Sequence, residues 1–426
     1  MQREQPASTT GGAGAGVAAR MFAVLCLGYV VSQFYRVSNA VIAPELMRDL
    51  SLSPEAMGAV TGIFFLAFAV FQVPVGVLLD RFGPRRVMSG CLLIAVAGAV
   101  LFALAPGAGL LTLGRALIGA GCAAGLMGSF IAIGRWYPPG RFAALTSALF
   151  TIGGIGQLMA TTPLSVVSDA AGWRGAFLII AGLTLGCAVL LFVFVRDAPP
   201  GHATQEAASE SLTQIGRGML DVLTNRQLWH VGAIQFVCYG SVLAVSGLWG
   251  GPYLQDVHGL DGAARGNVLL ALNVAMLAGV IVYGRLETLV DTRKWTIVAG
   301  AAATAGVLGL LAALPSPALW QVTGLFVLLG ATGSYFMLAH AHARGVLPDH
   351  VLGRGLTLQN VAVMGGVFVT QTVSGFVVGA FAEPGVAAPE IAYRTVFALL
   401  ALFTLAGTLL YLPIRDIKPS QLARAG

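Results

Sequence analysis

Between two long apolar runs the chain reads Gly76-Val77-Leu78-Leu79-Asp80-Arg81-Phe82-Gly83-Pro84-Arg85-Arg86. Each flanking run is long enough to cross a bilayer as a helix, for which about 20 residues suffice. The segment is therefore predicted to be a tight loop between two membrane helices. Because loops rich in Lys and Arg stay on the cytoplasmic side of a membrane, this loop also predicts which way the protein faces.

Composition excludes a soluble enzyme. The chain has 426 residues, of which 57% are hydrophobic and only 10% are charged, whereas a soluble domain carries about 25% charged residues. At about 20 residues per span there is room for roughly a dozen helices. The apolar runs predict helices 1 to 6 at 20–43, 58–79, 86–105, 109–132, 143–167 and 174–195, and helices 7 to 12 at 228–250, 266–285, 294–314, 318–340, 355–380 and 391–412.

These runs predict an all-α polytopic membrane protein with twelve transmembrane helices in two six-helix bundles. Its predicted parts are a disordered cytoplasmic tail at 1–19, a first bundle at 20–196, a cytoplasmic linker at 197–227, a second bundle at 228–413 and a cytoplasmic tail at 414–426. The linker contains an apolar stripe that predicts an amphipathic helix on the membrane surface.

The distribution of basic residues predicts the topology. Of 24 Lys and Arg residues, 18 lie in the tails, the linker and the loops that follow even-numbered helices, and only 4 lie in the other loops. Both termini are therefore predicted to be cytoplasmic, with a bacterial inner membrane as the expected location. The net charge of +6 then reports topology, and no nucleic-acid partner is predicted. The five cysteines fall inside apolar runs without metal-ligand spacing, so no metal or cofactor is predicted.

The two halves of the sequence repeat each other. Gly76-x-Leu78 with Arg85-Arg86 recurs as Gly284-x-Leu286 with Arg293-Lys294. Trp173-Arg174-x-x-Phe177 at the start of helix 6 recurs as Tyr393-Arg394-x-x-Phe397 at the start of helix 12. Parallel repeats of six helices predict two bundles around a pseudo-two-fold axis, with a binding site between them.

The segment 76–86 resembles the G-x-L-x-D-R-x-G-R-R/K signature between helices 2 and 3 of the major facilitator superfamily. Helix 4 begins Gly114-Arg115-x-x-x-Gly119-x-Gly121, similar to that family's R-x-x-x-G-x-G pattern. The stretch from Arg36 to Gly76 resembles the anion:cation symporter and organophosphate antiporter branches. The resemblance implies a monomer that works by alternating access, with helices 1, 4, 7 and 10 lining a central cavity.

The resemblance also implies a gate at the loop motif. Asp80 is expected to contact a helix N-terminus of the other half and so hold the cytoplasmic side shut, while Gly76 allows close helix approach. The predicted gating residues are Gly76, Asp80, Arg81, Gly83, Arg85, Arg86, Arg115 and Glu287. In the second copy Thr288 replaces Asp80. A loop that serves only topology is the alternative for the motif, and bonding to backbone carbonyls is the alternative for Arg115.

Arg36 is the principal predicted binding residue. Tyr29, Gln33 and Arg36 share one face of helix 1, and the sequence has no Asp or Glu in the middle of any predicted span. An unpaired buried charge is costly, so the expected partner of Arg36 is an anionic substrate, and a carboxylate suits its bidentate geometry. The alternative is an arginine that packs helices and binds carbonyls or water.

Further polar residues are predicted around the same cavity. They are Gln235 and Tyr239 in helix 7, Tyr335 in helix 10, and Gln359 and Asn360 in helix 11. Helix 7 is expected to break at Gly250-Gly251-Pro252, and the flanking Trp249 and Tyr253 are either cavity residues or interfacial anchors. If a proton is carried, His340 is the candidate, because the spans lack carboxylates.

The sequence therefore predicts a secondary active transporter that moves a small, carboxylate-type organic anion across the lipid bilayer. An exporter of non-anionic drugs or metabolites is the competing class, although its usual Gly-Pro pair in helix 5 and a buried carboxylate are both missing. No catalytic motif is present, so an enzyme is not predicted. The coupling ion stays open between H⁺, Na⁺ and none.

Overall fold

The computed structural model describes residues 12–198, 226–346, 352–383 and 386–420, so most of the predicted linker and its amphipathic helix lie outside the described residues. The first half contains helix 1 (Gly12–Asp49), helices 2 and 3 (Pro54–Ala103) and helix 4 (Ala108–Cys122 and Ala124–Trp136). Helix 5 consists of Pro139–Met159 and the part of Thr162–Phe194 before Gly172, whose backbone is not helical, and helix 6 is the part after Gly172. The second half contains helix 7 (Arg226–Ala244, a π-helical turn Val245–Trp249, and Gly250–Asp256), helix 8 (Gly262–Val290), helix 9 (Lys294–Ala313), helix 10 (Leu319–Gly333 and Phe336–Val346), helix 11 (Leu352–Gly379) and helix 12 (Glu390–Tyr411).

Ten helical segments among the described residues are long and apolar enough to cross a membrane, and two of them each contain two spans. Pro54–Ala103 has 50 residues and Gly140–Phe194 has 55. At about 1.5 Å per residue a 50-residue helix is about 75 Å long, more than twice the roughly 30 Å hydrocarbon thickness. The described chain therefore carries the twelve predicted spans.

Helix 1 begins earlier than predicted. Residues 12–19, expected to belong to a disordered tail, form the first two turns of the helix. Four of these eight residues are alanine, the strongest helix former, and the helix extends through them despite three glycines. The Tyr137 hydroxyl, which follows helix 4, donates to the Ala18 carbonyl at 2.7 Å, so this extension is also packed against the first half.

The turn between helices 2 and 3 depends on Gly83. Its φ of 75° is left-handed, which a residue without a side chain adopts readily. The Asp197 carboxylate, beyond the end of helix 6, occupies the place where a Cβ would stand. That carboxylate accepts from the Arg85 backbone N–H at 2.9 Å and so caps helix 3. Gly83 thus serves the turn and the cap together.

The second half repeats this arrangement. Asp291, 208 residues after Gly83, also has a left-handed φ of 50°, which Asp tolerates better than most residues. Asp416, beyond the end of helix 12, accepts from the Lys294 backbone N–H at 2.9 Å and caps helix 9. In each half, therefore, an aspartate after the sixth helix fixes the start of the third.

The ends of the repeats are joined by equivalent contacts. Trp173, at the start of helix 6, donates from its indole nitrogen to Asp49, at the end of helix 1, at 3.1 Å. Tyr393, at the start of helix 12, donates from its hydroxyl to Asp256, at the end of helix 7, at 2.5 Å. The Trp/Tyr repeat seen in the sequence therefore corresponds to the same tie in both halves, and the pseudo-symmetric fold is confirmed.

The two halves meet along helices 1 and 7, 2 and 11, and 5 and 8. We call the side of the molecule that bears the loop 76–86 the basic side, and the other the opposite side. On the opposite side a Cβ added to Gly251 of helix 7 would meet the Ala40 carbonyl of helix 1. There, too, the Thr162 hydroxyl donates to the Asn267 amide oxygen of the other half at 2.8 Å. These contacts bring the halves together on the opposite side.

Helix 2 shows how the halves diverge. A Cβ added to Gly58 would lie 2.9 Å from the Gly375 Cα of helix 11, whereas one added to Gly76 would meet nothing within 4 Å. Eighteen residues are five turns, so both glycines point in the same direction. The face of helix 2 that touches helix 11 on the opposite side is therefore open near the basic side. In this conformation Gly76 makes no close contact with another described helix, because the halves are apart at that level, and its predicted role in helix approach stays a prediction.

Helix 7 does not break at Gly250-Gly251-Pro252, as was expected. A π-helical turn at Val245–Trp249 precedes it, and the helix continues through Gly250–Asp256. The proline ring excludes a normal bond to the preceding turn, and one wider turn accommodates such a residue. Trp249 is fully buried and donates to the Ser374 hydroxyl at 2.7 Å, so it ties helices 7 and 11 and is not an interfacial anchor. Tyr253 is buried as well.

Candidate functional site

Arg36 lies inside helix 1, where that helix faces helices 2 and 7. Its side chain is 6% exposed, and its guanidinium carbon lies 4.8 Å from the centre of the Phe68 ring of helix 2. The Nε–H has no hydrogen-bond partner, and no carboxylate among the described residues forms an ion pair with this side chain. The helix therefore holds a nearly enclosed cation whose charge the rest of the described chain leaves unpaired.

Polar groups from three helices surround this cation. The Tyr239 hydroxyl of helix 7 is within hydrogen-bonding reach of both Arg36 and the Gln157 amide of helix 5. Tyr29, almost two turns before Arg36, is close enough to Arg36 and Tyr239 to interact with them electrostatically. Gln33 is 8% exposed and its Oε1 has no partner. We call Tyr29, Gln33, Arg36, Gln157 and Tyr239 the central cluster.

Close packing of helix 5 on helix 1 determines the position of Gln157 along the helix axis relative to the residues of helix 1. A Cβ added to Gly153 would meet the Tyr29 ring, and one added to Gly156 would meet the Val30 carbonyl. Gln157 therefore follows the point where the two backbones come closest and lies level with Gln33. The predicted grouping of Tyr29, Gln33, Arg36 and Tyr239 is thus found in the structure, and Gln157 joins it. The sequence contained a signal for Gln157, an amide inside an otherwise apolar and glycine-rich span.

Aromatic rings enclose the cluster. Phe150 of helix 5 stands edge-on to Tyr29 with 5.7 Å between ring centres. The ring centre of Phe336 of helix 10 lies 5.0 Å from that of Tyr239. Together with Phe68 they form apolar walls around a few polar groups, which is the usual composition of a small-molecule site. A cation held in such surroundings attracts an anion more strongly than it would in water.

The other predicted binding residues lie elsewhere. Tyr335 is fully buried within the second half, where it faces Tyr283 and Gly300. Gln359 donates to the Leu228 carbonyl at 3.1 Å, which joins helices 7 and 11 near the basic side. Gln235 is fully buried and accepts from the Cys238 thiol one turn away. The structure therefore does not bring these three side chains into the central cluster. Residue spacing alone does not show which face of a helix points to the cavity and which points into its own bundle.

Asn360 and His340 are partly exposed. His340 interacts through Nδ1 with the Phe336 carbonyl, one turn earlier in helix 10, at 3.1 Å. Asn360 has no contact that connects it to the central cluster. Neither side chain is joined to Arg36 in this conformation.

Arg115 binds a backbone carbonyl, as the alternative for this residue predicts, although its Nε and Nη2 have no partner among the described residues. It is fully buried and donates to the Tyr35 carbonyl of helix 1 at 3.0 Å. Its guanidinium lies 5.0 Å from the centre of the Phe64 ring and 6.0 Å from that of Phe102. It therefore packs helices 1, 2, 3 and 4 of the first half against one another.

The loop residues predicted to form a gate make contacts inside their own halves. Arg85 donates to the Phe192 carbonyl at 2.6 Å and so joins helices 3 and 6. Glu287 pairs with Arg293 at 2.7 Å across the loop between helices 8 and 9. Asp80, Arg81 and Arg86 are exposed on the basic side.

An ion pair between the halves was not predicted. Arg265, at the start of helix 8, binds Glu45 of helix 1 at 2.5 Å, with the arginine side chain 2% exposed. It lies on the opposite side, where the halves meet. The sequence did not indicate this pairing, because it depends on how two distant helices are juxtaposed.

A family model, the Major Facilitator Superfamily, matches residues 25–316. The chain is 27% identical over 269 residues to a protein of Cupriavidus necator named as a probable sulfoacetate transporter, a match that covers 61% of each chain. It is 25% identical over 430 residues to the hexuronate transporter of Escherichia coli strain K12, which covers 94% of each. The matched family and these relatives are transporters and not enzymes.

Solved structures agree with the fold. The chain superposes on a crystal structure of a nucleoside transporter with a TM-score of 0.73 at 12% identity, covering 93% of this chain and 98% of that one. It superposes on a bacterial homologue of the human lysosomal transporter Spinster with a TM-score of 0.70 at 19% identity, covering 93% and 95%. With twelve spans in two repeated halves, and with a family model that matches well over half of its length, this chain belongs to the Major Facilitator Superfamily.

Proposed function

We propose that this protein transports a small organic anion of the carboxylate type across the membrane and that Arg36 binds the anion. The observation that carries the proposal is the state of Arg36: a nearly enclosed guanidinium at the contact between the halves, with a free Nε–H and without a carboxylate partner among the described residues. Burying an uncompensated charge is costly. An anionic substrate removes that cost when it binds.

The relatives support an anionic substrate. Hexuronate and sulfoacetate, the compounds in the names of two of them, are both anions at neutral pH. They differ in size and in polar groups, but each offers an anionic oxygen group that a guanidinium can bind through two parallel hydrogen bonds. A positive charge in the central cluster is the feature that such substrates have in common.

We infer that transport proceeds by alternating access, with the central cluster exposed to each side of the membrane in turn. The contacts of Gly58 and Gly251 between the halves, and the Arg265–Glu45 pair, support a conformation closed on the opposite side. The open space beside Gly76 supports one that opens toward the basic side. By the charge distribution of the loops the basic side is cytoplasmic, which makes this an inward-open conformation of a protein of the bacterial inner membrane.

The gate on the basic side then forms only in the other conformation. When the face of helix 2 that holds Gly76 meets helix 11, Asp80 is brought toward the second half, where a helix N-terminus favours its charge. His340 remains the candidate for a coupled proton, and we expect the protein to work as a monomer.

The test is ligand binding by the purified, full-length protein. Small carboxylates should raise its melting temperature, since a ligand that binds the native state stabilises it. Arg36→Gln should abolish this stabilisation and anion uptake into proteoliposomes, while the variant remains folded. Arg115→Gln is the matched control: it removes a buried arginine of the first half that lies outside the central cluster. We expect it to lower the melting temperature of the free protein and to retain stabilisation by anions.

Two results would overturn the proposal. Equal stabilisation of the wild type and Arg36→Gln by carboxylates would remove Arg36 from the site. Stabilisation by lipophilic cations alone, unchanged in Arg36→Gln, would identify an exporter of non-anionic compounds instead.

A further inference from the structure

The central cluster contains unpaired hydrogen-bond acceptors as well as an unpaired cation. The side-chain oxygens Oε1 of Gln33 and Gln157 have no partner, and the two residues are 8% and 3% exposed. A buried carbonyl oxygen without a donor is destabilising, and most such groups in proteins are paired. Two unpaired amide oxygens in the same cluster as a free guanidinium N–H point to a ligand that hydrogen-bonds to all three groups.

The two amides are held at the same level. Gln33 is one turn before Arg36 on helix 1. Gln157 follows Gly156, whose backbone packs on the Val30 carbonyl of the same helix. The amide of Gln157 also interacts with the Tyr239 hydroxyl, and its Oε1 has no partner in the described part of the chain. The two acceptors therefore belong to helices 1 and 5, which pack against each other at the level of the cation.

The chemistry of the ligand follows from this arrangement. A guanidinium donates and binds a carboxylate, whereas an amide oxygen accepts and needs an O–H or N–H. A simple carboxylate satisfies Arg36 but leaves both amide oxygens unpaired and deprived of water. A carboxylate with hydroxyl groups on its carbon chain satisfies the cation and the acceptors together.

We propose that the central cluster selects hydroxylated carboxylates over carboxylates without hydroxyl groups, with Gln33 and Gln157 accepting hydrogen bonds from the substrate hydroxyls. This inference rests on the proposed function, because it assumes that Arg36 binds the carboxylate. Sites built to pair a substrate hydroxyl reject analogues that lack it far more strongly than apolar pockets reject a missing methylene. Specificity in this protein then arises from the glutamines, and the arginine contributes anion selectivity only.

The experiment uses two series of acids with constant carbon number: propionate, lactate and glycerate, and succinate, malate and tartrate. Affinities come from concentration-dependent shifts of the melting temperature of the purified, full-length protein. We expect affinity to rise along each series, by at least about tenfold from no hydroxyl to two. Gln157→Met, which keeps the length of the side chain and removes the acceptor, should flatten both series by weakening the hydroxylated acids and leaving propionate and succinate unaffected.

Gln371→Met is the matched control. Gln371 is also fully buried with a free Oε1, but its amide nitrogen is directed at the Leu243 carbonyl in the second half. Its loss should leave the slope of each series unchanged. Should Gln157→Met not fold, Gln33→Met and the wild-type series each still decide the question.

The outcomes separate the two proposals. If no carboxylate stabilises the protein, or if Arg36→Gln binds as well as the wild type, the proposed function fails. If carboxylates bind through Arg36 but the wild-type series are flat, or if their slopes survive in Gln157→Met and Gln33→Met, anion transport stands and the selection of hydroxyl groups is refuted.

Discussion

Two arginines are buried in the first half, and their surroundings separate their roles. Arg115 donates to the Tyr35 carbonyl and lies against two phenylalanine rings inside one bundle. Arg36 has one ring beside it and lies between the bundles. Within the described residues both arginines keep guanidinium nitrogens without a partner, Nε in Arg36 and Nε and Nη2 in Arg115, so their positions separate them and not their unpaired N–H groups. Both are long cations inside apolar helices, so the residue type alone does not distinguish a packing role from a binding role. Their neighbours do.

Arg115→Lys should therefore destabilise the protein without affecting anion binding. The ammonium keeps the charge but loses the planar face that stacks on Phe64 and Phe102, contacts worth about 2 kcal/mol when shielded from water. We expect a lower melting temperature of the free protein and an unchanged affinity for a stabilising carboxylate. Loss of affinity at an unchanged melting temperature would instead show that Arg115 contacts the substrate.

At this scale the sequence identified the cation but not its whole environment. Arg36, Gln33 and Tyr29 could be grouped because three residues on one helix face depend only on the helical period. Tyr239 required the assumption that helix 7 faces the same cavity as helix 1, which the family resemblance supplied. Gln157 was passed over because its importance depends on the packing of helix 5 against helix 1. Tyr335 was misassigned because it faces the interior of its own bundle.

At the scale of elements, the contacts of helix 2 show on which side of the membrane the two halves are closed. Gly58 and Gly76 lie on one face, five turns apart, yet only Gly58 is packed against helix 11. A rigid helix that touches its partner at one end alone acts as a lever between the halves.

Substitutions of these glycines should have opposite effects. Gly58→Leu places a side chain against the helix 11 backbone and should lower the melting temperature of the described conformation. Gly76→Leu enters open space and should preserve stability and carboxylate binding, but it should block closure on the basic side and abolish transport. Uptake into proteoliposomes and melting curves of both variants measure this. Full transport by Gly76→Leu would mean that this face never closes.

Capping of helix 9 by Asp416 predicts a pH dependence. Partial burial alone would raise the pKa of this carboxyl, but donation by the Thr292 hydroxyl at 2.6 Å and by the Lys294 amide outweighs it and holds the pKa below its ordinary value of 3.8. The stabilisation is therefore complete above that value and is lost as the pH falls through the lower, folded-state pKa.

Asp416→Asn should accordingly melt at a lower temperature than the wild type at pH 7, and the difference should shrink as the pH falls below about 4. Melting curves between pH 7 and pH 3 measure both proteins. Ser420→Ala is a comparison on the same tail, since Ser420 binds the carboxylate of Asp291 and not that of Asp416. A difference that stays constant down to pH 3 would rule out the charge of Asp416 as its source.

The elements themselves were largely predictable, and their ends were less so. Apolar length fixed the number of spans, because a bilayer imposes a minimum on each of them. The start of helix 1 and the continuity of helix 7 were missed. In the first case Ala-rich sequence extends a helix beyond the membrane, and in the second a π-helical turn accommodates Pro252. Both are local backbone adjustments that hydropathy does not report.

At the scale of the whole molecule, the halves must separate on the opposite side for the site to open there. Thr162 and Asn267 lie on different halves and are in contact through their side chains. A cysteine pair at these positions, joined by a short bifunctional thiol reagent, should abolish transport, and a reducible reagent should make the loss reversible. The native cysteines are all buried, so their background reaction is small.

The control pair is Ser316 and Glu390, whose side chains are 3.2 Å apart within the second half. Joining cysteines there should leave transport intact, because the bond lies inside one bundle. Retained transport after complete cross-linking of the first pair would exclude a separation of the halves at that point.

The unpaired charge of Arg36 has an electrical consequence. When the empty protein changes conformation, a single positive charge moves relative to the membrane field, whereas with a monovalent anion bound the site is neutral. A unit charge that crosses the whole field exchanges about 2.3 kcal/mol per 100 mV, and Arg36 experiences a share of it. Membrane potential should therefore act on the return of the unloaded transporter and leave the loaded step nearly insensitive to voltage.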